Sequence, residues 1–341
     1  MSRDIKSLEK RDLEAELLRL GEPKYRAGQI YAWLHRGARS FSEMTNLSHS
    51  LGGKLDEQFY ITAPKALREQ RSERDGTVKY LWGLRDGESV ESVLMRYDHG
   101  NTVCISSQVG CRMGCAFCAS ALGGLVRNLE PSEMLDQVIF SAPPGERVSN
   151  IVLMGIGEPL DNFDNALKFL RIVTSEGGLN IGYRHISLST CGLAERIDKL
   201  ASYNLQLTLS VSLHAPDDET RSRIMPVNGV SPIAELMNAC RRYFDVTGRR
   251  ISFEYAMIGG VNDTEEHAKK LARLLSGGGW HLNLILLNPV AERGLAASTR
   301  KDTEKFVGIL ERGGINFTFR RRLGTDIDAA CGQLRRKERI E

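Results

Sequence analysis

The chain has 341 residues, of which 41% are hydrophobic and 26% are charged, and its formal net charge is +3. This length suits one large α/β domain with a smaller accessory piece, and the composition is ordinary for a globular protein. No apolar run approaches the roughly 20 residues needed to span a membrane, and the charged N-terminus lacks the apolar core of a secretory signal. We therefore expect a cytoplasmic protein with no membrane partner.

The N-terminal third predicts two small structural pieces. Residues 1–75 are mainly helical in pattern, which predicts a small helical accessory domain. Two alternating apolar runs follow at 78–84 and 90–97, separated by the turn-forming Arg85-Asp86-Gly87. This pattern predicts a β-hairpin, within residues 76–100, that links the accessory domain to the main domain.

From about residue 100 the pattern alternates between strands and helices. Strands are expected at 102–108, 150–154, 185–189, 206–213, 251–257, 282–287 and 317–320. Helices are expected at 131–140, 162–174, 232–243, 264–275 and 303–312. Such alternation predicts a parallel sheet with helices outside it, either doubly wound or a full or partial barrel, over residues 101–335.

The strongest chemical signal is GCRMGCAFCAS, which places Cys111, Cys115 and Cys118 in one loop directly after a strand. Three thiolates at this spacing can hold three irons of a [4Fe-4S] cube and leave the fourth iron open to the amino and carboxylate groups of S-adenosylmethionine (SAM). A zinc site is the alternative, but zinc needs a fourth protein ligand and usually pairs one CxxC with another. Seven cysteines in a cytoplasmic chain also indicate metal binding or catalysis rather than a disulfide framework.

A second motif, Gly155-Ile-Gly157-Glu158-Pro159, follows the next predicted strand. Small residues there let the backbone approach a ligand, and Glu158 could accept a hydrogen bond from the ammonium of SAM. Phe117, just before the third cysteine, could pack over a cluster or an adenine ring. Each feature alone is equally consistent with a turn or a core residue, so their weight comes from the neighbouring cysteine motif.

Several longer stretches together resemble one known family. The stretches are VCISSQVGCRMGCAFCAS, NIVLMGIGEPLDN, RHISLSTCGL, SVSLHAPDDETRSRIMPVN, FEYAMIGGVND, LNPV and TDIDAACGQL. They resemble the RlmN family of radical SAM adenine-C2 methyltransferases from about residue 20 to 335. The resemblance implies a partial (β/α)6 TIM-like barrel with an N-terminal helical domain that helps bind RNA. It also implies a [4Fe-4S] cluster and two SAM molecules per turnover.

The resemblance also assigns roles to cysteines outside the cluster motif. Carbon 2 of adenine is electron-poor and cannot attack the methyl group of SAM directly, so a radical route is needed. Cys331 matches the family's cysteine that first takes a methyl group from SAM, and Cys104 matches the cysteine that later forms a transient disulfide with it. Glu91 matches the family's proton acceptor, although the sequence leaves open whether Glu91 or the Cys104 thiolate takes the proton.

The SAM contacts implied by the family's motifs all follow predicted strand ends. They are Gly157, Glu158, Ser189, Ser212, Leu213, His214 and Asn288. Without the motif match, His214 is more simply interpreted as a core or surface histidine. Cys191 and Cys240 match no family role and are predicted to be packing residues.

The implied partners are RNA and a protein reductant. The family's substrates are an adenosine in the peptidyl-transferase region of 23S rRNA and, in some members, the tRNA adenosine 3′ of the anticodon. Candidates for RNA contacts are Tyr25, Arg26, Ile30 and Trp33, together with the basic clusters at 241–242, 249–250, 320–322 and 335–337. We also expect a flavodoxin- or ferredoxin-like electron donor and a monomeric enzyme.

Three alternatives remain open at this point. The family's relative that methylates carbon 8 shares the cysteines, but its pattern departs at the GEP motif, whereas this chain keeps Glu158-Pro159, which favours carbon 2. A radical SAM enzyme that does not act on RNA would not need Cys104 and Cys331. An iron–sulfur or zinc RNA-binding module without enzymatic activity would not cleave SAM.

Overall fold

The structure is a computed structural model that describes residues 3–327 and 334–335. Its N-terminal part contains a two-residue strand and three helices before a second short strand. These are β1 (Arg3–Asp4), α1 (Lys10–Arg19), α2 (Tyr25–His35), α3 (His49–Gln58) and β2 (Phe59–Tyr60). The helices bury Leu13, Leu17, Ile30 and Leu51 on their inner faces.

The accessory helices dock on the rest of the chain through a buried ion pair. Lys6 contacts the carboxylate of Asp136, and both side chains are almost fully buried. A buried charge is tolerated only when it is paired and hydrogen-bonded, and Thr62 supplies a further donor to Asp136 at 2.8 Å. This contact fixes the position of the N-terminal helices against the main domain.

The remaining elements alternate as the sequence predicts. They are β3 (Lys65–Arg71), β4 (Val78–Gly83), β5 (Ser89–Tyr97), β6 (Gly100–Cys104), β7 (Gln108–Gly110), β8 (Leu125–Asn128), α4 (Pro131–Ser141), β9 (Val148–Leu153), α5 (Phe163–Thr174), β10 (Ile186–Thr190), α6 (Ala194–Ala201), β11 (Thr208–Ser212), α7 (Asp218–Ile224), α8 (Ile233–Thr247), β12 (Ser252–Met257), α9 (Glu265–Leu275), β13 (His281–Leu286), α10 (Arg300–Arg312) and β14 (Phe317–Phe319). Within residues 3–327 no helix is both long enough and apolar enough to cross a bilayer.

One ten-stranded sheet organises the main domain. Its strand order is β14-β13-β12-β11-β10-β9-β6-β5-β4-β3. Strands β6 and β9 to β14 run parallel, while β3, β4, β5 and β6 form an antiparallel meander. The parallel α/β core predicted from the sequence is confirmed, with seven mutually parallel strands in the described part of the chain.

The predicted hairpin is present, with Val78 paired to Leu94 and Gly83 paired to Ser89. Its second arm also hydrogen-bonds to β6, so the hairpin continues the main sheet instead of standing apart as a linker. The helical part of the predicted accessory segment ends at Gln58, and Lys65–Arg71 is a strand that pairs with β4. This strand is charged and mostly exposed, which is typical of a sheet edge.

Side-chain alternation divides the parallel strands into two faces. Leu209 and Val211 of β11 are fully buried on the face covered by helices, whereas Ser210 and Ser212 lie on the opposite face. Ser212 pairs in register with Glu254 of β12. Polar side chains therefore line the inner face of the sheet and lead to the carboxyl ends of its strands, where parallel α/β folds place their active sites.

Candidate active site

A cavity of about 280 Å³ lies at the carboxyl ends of the parallel strands. Its walls are formed by the loop after β7 and by residues at or near the carboxyl ends of β9, β10, β11, β12 and β13. The residues from the predicted site that line it are Cys111, Cys115, Phe117, Cys118, Gly157, Glu158, Ser189, Ser212, His214 and Asn288. Residues that are far apart in the sequence therefore meet at one site.

Glycines and apolar contacts give the cysteine loop its shape. Gly110 has φ +80°, and a Cβ atom there would lie 2.0 Å from the carbonyl oxygen of Gly124, so only glycine fits. The next residue, Cys111, donates its backbone N–H to that same oxygen at 2.9 Å. Further along the loop, the N–H of Ala116 donates to the carbonyl of Ile224 at 2.9 Å. These bonds hold the loop against the helical segment after β11.

Two of the three loop thiols, those of Cys111 and Cys115, lie in a desolvated environment. Burial raises the pKa of Cys111 to about 12 and raises the pKa of Cys115 as well, with neighbouring cysteines adding to both shifts. A thiolate in this position therefore needs a cation beside it.

The arrangement of these thiols bears on whether the site would hold a single metal ion or an iron–sulfur cluster. Among residues 3–327 and 334–335, no three histidine, cysteine or acidic side chains converge as ligands of a single metal ion would. An iron–sulfur cube binds each cysteine through a different iron, so it does not require such convergence. The donor set, three cysteines on the wall of one cavity, therefore fits a [4Fe-4S] cluster.

The GIGEP segment approaches the cysteine loop through its glycines. A Cβ atom on Gly157 would lie 2.6 Å from Cβ of Gln108, and Gly157 also has φ +108°. The Glu158 carboxylate accepts hydrogen bonds from the backbone N–H groups of Leu160 at 3.0 Å and Cys191 at 2.7 Å. Burial raises the pKa of Glu158, and these N–H groups oppose that shift. The carboxylate is thus held in the cavity wall beside the three thiols.

The segment after β11 presents His214 in a constrained conformation. His214 has φ +54°, which non-glycine residues seldom adopt, and its ring lies edge-on to Phe117 with centroids 4.8 Å apart. Its Nδ1 accepts the N–H of Ala256 at 2.9 Å, so the ring is neutral, and burial lowers its pKa to about 3. Asn262 holds the backbone by donating to the His214 carbonyl at 2.7 Å.

Leu213 differs from the other residues implied as SAM contacts. Its side chain is fully buried and does not line the cavity, and its N–H donates to the carbonyl of Glu254 at 3.1 Å. On a strand, neighbouring side chains point to opposite faces, so Leu213 cannot share the inner face with Ser212. Any contact between Leu213 and a ligand must therefore involve its backbone.

Arg221 is a site residue that the sequence analysis missed. Its guanidinium is fully buried and donates to the carbonyls of Cys191 at 2.7 Å and Ser231 at 3.1 Å and to Oδ1 of Asn228 at 2.9 Å. It joins the loop after β10 to the loop after β11, both of which form the cavity wall. Its position within DDETRSRIMP, a charged and helix-like stretch, gave no sign that it would be buried.

The two cysteines predicted to be packing residues differ in position. Cys240 is fully buried in α8 among the core side chains. Cys191 is also buried, but it lines the cavity together with the three loop cysteines. Cys240 is therefore the better control for experiments on the functional cysteines.

A second cavity, of about 480 Å³, adjoins the first. Cys104 lines it, together with Arg320, Arg321 and Arg322. Met154, Ile285, Asn288 and Arg320 line both cavities, so the two share a wall. Cys104 and the cysteine loop therefore open onto neighbouring spaces.

Glu91 lies in β5, where it is 3% exposed. Its Oε2 contacts Nζ of Lys79, a fully buried side chain of β4, at 2.8 Å. Its Oε1 accepts the backbone N–H of Arg335 at 2.6 Å. Cys331, predicted to carry the methyl group, lies outside the described residues.

The residues of the N-terminal helices that were predicted to contact RNA differ in how exposed their side chains are. Tyr25 is 62% exposed, and the Arg26 guanidinium lies 5.1 Å from the centre of its ring. Trp33 is partly buried and donates Nε1–H to Asn46 Oδ1 at 2.7 Å. Ile30 is fully buried in the helical core and cannot contact RNA, so that prediction was wrong. Its spacing from Leu34 places both on the inner face of α2.

Two family models match this chain. The model of the radical SAM superfamily matches residues 105–275, and that of the ribosomal RNA large subunit methyltransferase N-terminal domain matches residues 3–61. The first span includes the cysteine loop, GIGEP and the segment after β11. The second span covers the accessory helices.

Individual proteins are similar to the chain over nearly its whole length. A probable dual-specificity RNA methyltransferase RlmN from Lachnoclostridium phytofermentans is 53% identical over 98% of this chain and 94% of that protein. The corresponding protein of Pelotomaculum thermopropionicum is 54% identical over 98% of this chain and 92% of its own length. The crystal structure of a radical SAM methyltransferase from Sphaerobacter thermophilus superposes with a TM-score of 0.92 at 43% identity, covering 97% of this chain and 98% of that one.

Proposed function

This chain belongs to the RlmN family of radical SAM RNA methyltransferases, and we propose that it methylates carbon 2 of an adenosine in the peptidyl-transferase region of 23S rRNA. The tRNA adenosine 3′ of the anticodon is the proposed second substrate. The observation that carries the proposal is the shared wall between the cavity of the three loop cysteines and the arginine-lined cavity of Cys104. Such a pair of cavities can bring a cofactor and a flipped-out base together.

The superfamily uses a [4Fe-4S] cluster and SAM, and the residues present suit both. Cys111, Cys115 and Cys118 would hold the cluster, which with SAM would supply a 5′-deoxyadenosyl radical. Glu158 suits the ammonium of SAM because its carboxylate is buried, lines the cavity and is held in place by the backbone N–H groups of Leu160 and Cys191. The backbone of Gly157 and the side chains of Ser189, Ser212, His214 and Asn288 complete the proposed SAM site.

Cys331 and Cys104 are proposed to carry out the covalent steps of the reaction. The reaction has two halves, and each half uses one of the two SAM molecules. In the first half, the Cys331 thiolate attacks the methyl carbon of SAM, whose methyl–sulfur bond breaks with its electron pair on the departing S-adenosylhomocysteine. In the second half, the S-methyl group of Cys331 gives a hydrogen atom to the 5′-deoxyadenosyl radical, which becomes 5′-deoxyadenosine. The resulting methylene carbon then bonds to carbon 2 of adenine. That adduct then gives up one electron, which would return to the cluster oxidised during SAM cleavage, and it also gives up the carbon 2 proton.

Release of the product needs the second thiol. The Cys104 thiolate attacks the sulfur of Cys331, so that a disulfide forms and the sulfur–carbon bond to the base breaks. The electron pair of that bond stays on the carbon, which takes up a proton and becomes the new methyl group. Two electrons from a reductant must then reopen the disulfide, which is consistent with a cytoplasmic enzyme that uses a flavodoxin- or ferredoxin-like donor.

The contacts of Glu91 favour Cys104 as the group that takes the carbon 2 proton. Both carboxylate oxygens of Glu91 have partners, Nζ of Lys79 and the N–H of Arg335. Cys104 lines the proposed substrate cavity, whereas Glu91 is not among the residues lining it. A group that abstracts a proton must come within about 3 Å of it, directly or through one water molecule.

The RNA is proposed to enter over the arginines of the second cavity. Arg320, Arg321 and Arg322 follow β14 and would neutralise phosphates next to the target nucleotide. The exposed Tyr25–Arg26 pair of the accessory domain offers a stacking surface and a further cation. We propose that the enzyme works as a monomer, since both cavities are lined by one chain.

Replacement of Cys104 tests whether this thiol releases the methylated base from Cys331. The Cys104→Ala variant should stop after carbon–carbon bond formation and leave Cys331 covalently attached to RNA, visible as a shifted band on a denaturing gel. Cys240→Ala, in the core of α8, should turn over without such a band. Unmodified RNA with no adduct in Cys104→Ala, under conditions where the unchanged enzyme is active, would contradict the proposal.

A further inference from the structure

The antiparallel part of the sheet contacts the chain on both sides of the segment that contains Cys331. Residues 324–326 lie before this segment and contact the turn between β3 and β4. Arg335 lies after it and contacts β5 and the residue just before β5. Neither set of contacts involves the residues that line the cysteine-loop cavity. They therefore need an explanation other than cofactor binding.

The turn between β3 and β4 makes the first set of contacts. Ser72 donates its hydroxyl to Oδ1 of Asp326 at 2.6 Å, and the N–H of Glu73 donates to Oδ2 of the same carboxylate at 3.0 Å. In the reverse direction, the N–H of Gly324 donates to Oδ2 of Asp75 at 2.8 Å. The two segments are thus joined by reciprocal hydrogen bonds to carboxylates, the stronger class of hydrogen bond.

The second set of contacts centres on Glu91. Its Oε1 accepts the N–H of Arg335 at 2.6 Å, and the Arg335 guanidinium contacts Oε2 of Glu88 at 3.0 Å. Leu334 beside it is fully buried. Lys79 contacts the other oxygen of Glu91 at 2.8 Å, so the buried carboxylate is compensated by an equally buried ammonium.

The register of the sheet relates this anchor to Cys104. Cys104 in β6 lies directly opposite Val93 in β5, and Glu91 is two residues from Val93 on the same face. Diagonal neighbours of this kind lie about 7–8 Å apart. The chain from Arg335 back to Cys331 spans four residues, which reach at most about 14 Å. Anchoring Arg335 at Glu91 therefore limits how far Cys331 can lie from Cys104.

We infer that Lys79 and Glu91 are positioning residues that, with the turn at residues 72–75, hold the chain on both sides of Cys331 so that its thiol meets SAM and Cys104. The inference rests on the proposed function, since the role of Cys331 is part of that proposal. In this role Glu91 acts on the peptide N–H of Arg335, and Lys79 acts by holding the Glu91 carboxylate in place through their buried ion pair. The charged carboxylate makes the hydrogen bond to Arg335 stronger than a neutral acceptor would.

The first half of the reaction can distinguish two roles for Glu91, positioning the chain around Cys331 and accepting the carbon 2 proton. Methylation of Cys331 by SAM needs no RNA and removes no proton from a base, so a proton acceptor for carbon 2 has no part in it. We would incubate the full-length, anaerobically reconstituted protein with SAM alone and follow S-methylation of Cys331 by mass spectrometry of its peptide. The variants would be Glu91→Gln and Lys79→Met, with Glu88→Gln as a milder change at the same anchor.

The expected result is slower methylation in each variant, by about tenfold or more in Glu91→Gln and Lys79→Met, because a hydrogen bond to a charged group is weakened or lost. Hydrogen exchange of the Arg335 amide should accelerate in the same variants, while cluster absorbance stays unchanged. Lys6→Met removes the equally buried partner of Asp136 in the accessory domain and is the matched control. It should lower stability yet leave both readouts at the level of the unchanged protein.

Two results would overturn the inference. One is methylation of Cys331 at the normal rate in Glu91→Gln together with a covalent RNA adduct that does not resolve, which would make Glu91 the proton acceptor. The other is unchanged exchange of the Arg335 amide in both Glu91→Gln and Lys79→Met. Failure of the unchanged protein to methylate Cys331 at all would instead contradict the proposed function.

Discussion

The guanidinium of Arg221 and the backbone carbonyl of Cys191 are joined by a 2.7 Å hydrogen bond across the wall of the cysteine-loop cavity. The same guanidinium also donates to the carbonyl of Ser231, between α7 and α8, so one side chain fixes two loops. Arg221→Met should lower the free energy of unfolding by about 3 kcal/mol, because several buried carbonyls lose their donor. Denaturant titration under anaerobic conditions measures this loss.

A second variant of Arg221 distinguishes the effect of its positive charge from the effect of its guanidinium geometry. Arg221→Lys keeps the charge but lacks the planar set of five donors, so it should recover only part of the stability. Arg241→Met removes an exposed arginine from α8 and should change stability by less than about 0.5 kcal/mol. Equal stability of Arg221→Met and Arg241→Met would show that the buried network does not hold the loops.

Gly157→Ala should abolish SAM binding. The added Cβ atom would lie 2.6 Å from Cβ of Gln108 at a backbone φ of +108°, so the GIGEP segment must move away from the cysteine loop. Equilibrium dialysis with radiolabelled SAM checks this, and a Gly229→Ala variant is the control because a Cβ atom there meets nothing within 4 Å. Normal SAM affinity in Gly157→Ala would remove the GIGEP backbone from the site.

His35 should make the protein acid-sensitive. Burial lowers its pKa to about 4, and among the described residues its Nε2 has no hydrogen-bond partner. The unfolded chain binds a proton near pH 6.5 and the folded chain does not, so the contribution of His35 to stability is complete above pH 6.5 and falls as the pH drops towards 4.

A non-titrating variant isolates this effect from other buried groups. The unfolding free energy of the unchanged protein minus that of His35→Gln should fall by up to about 1.4 kcal/mol per pH unit between pH 6.5 and 4. Taking the difference cancels groups of opposite sign, such as Asp136, whose pKa burial raises to about 6. A difference that does not vary with pH would show that His35 is not a buried neutral imidazole.

The arginines of the second cavity should account for part of the salt dependence of RNA binding. Arg321→Ala and Arg322→Ala should each weaken binding and reduce the slope of log affinity against log salt by about 0.7, the value for one contact with a single-stranded phosphate. Arg300→Ala removes an exposed arginine of α10 that contacts Glu304 at 2.7 Å and is no candidate for RNA contact, so it should leave the slope unchanged. Filter binding over a range of salt concentrations measures all three variants.

The sequence predicted the parts of the molecule that depend on local pattern. Alternation of apolar residues located the parallel strands within a few residues, and the turn Arg85-Asp86-Gly87 located the hairpin. The strand expected at 102–108 stops at Cys104, because the chain leaves the sheet there to approach the cysteine loop. Helices α6 and α7 were not predicted because they are only eight and seven residues long.

The sequence could not predict contacts that depend on distant parts of the chain. Lys79 and Glu91 lie on a hairpin whose sequence pattern does not reveal their burial, yet they contact each other in the interior, and Glu91 also accepts the N–H of Arg335, 244 residues away in the sequence. Arg221 reads as one charge among many in a polar helix, yet it is buried by the loops it joins. The motifs located the proposed cofactor-binding residues, most of which line one cavity, whereas the residues that position them became visible only in the fold.

Nucleoside analysis tests the central claim most directly. RNA containing the peptidyl-transferase region would be treated with the reconstituted protein, SAM and a reductant, digested to nucleosides and compared by mass spectrometry with synthetic methyladenosine standards. We predict 2-methyladenosine, together with one S-adenosylhomocysteine and one 5′-deoxyadenosine for each methyl group transferred. The appearance of 8-methyladenosine, or of no methylated adenosine at all, would contradict the assignment of carbon 2 chemistry to this protein.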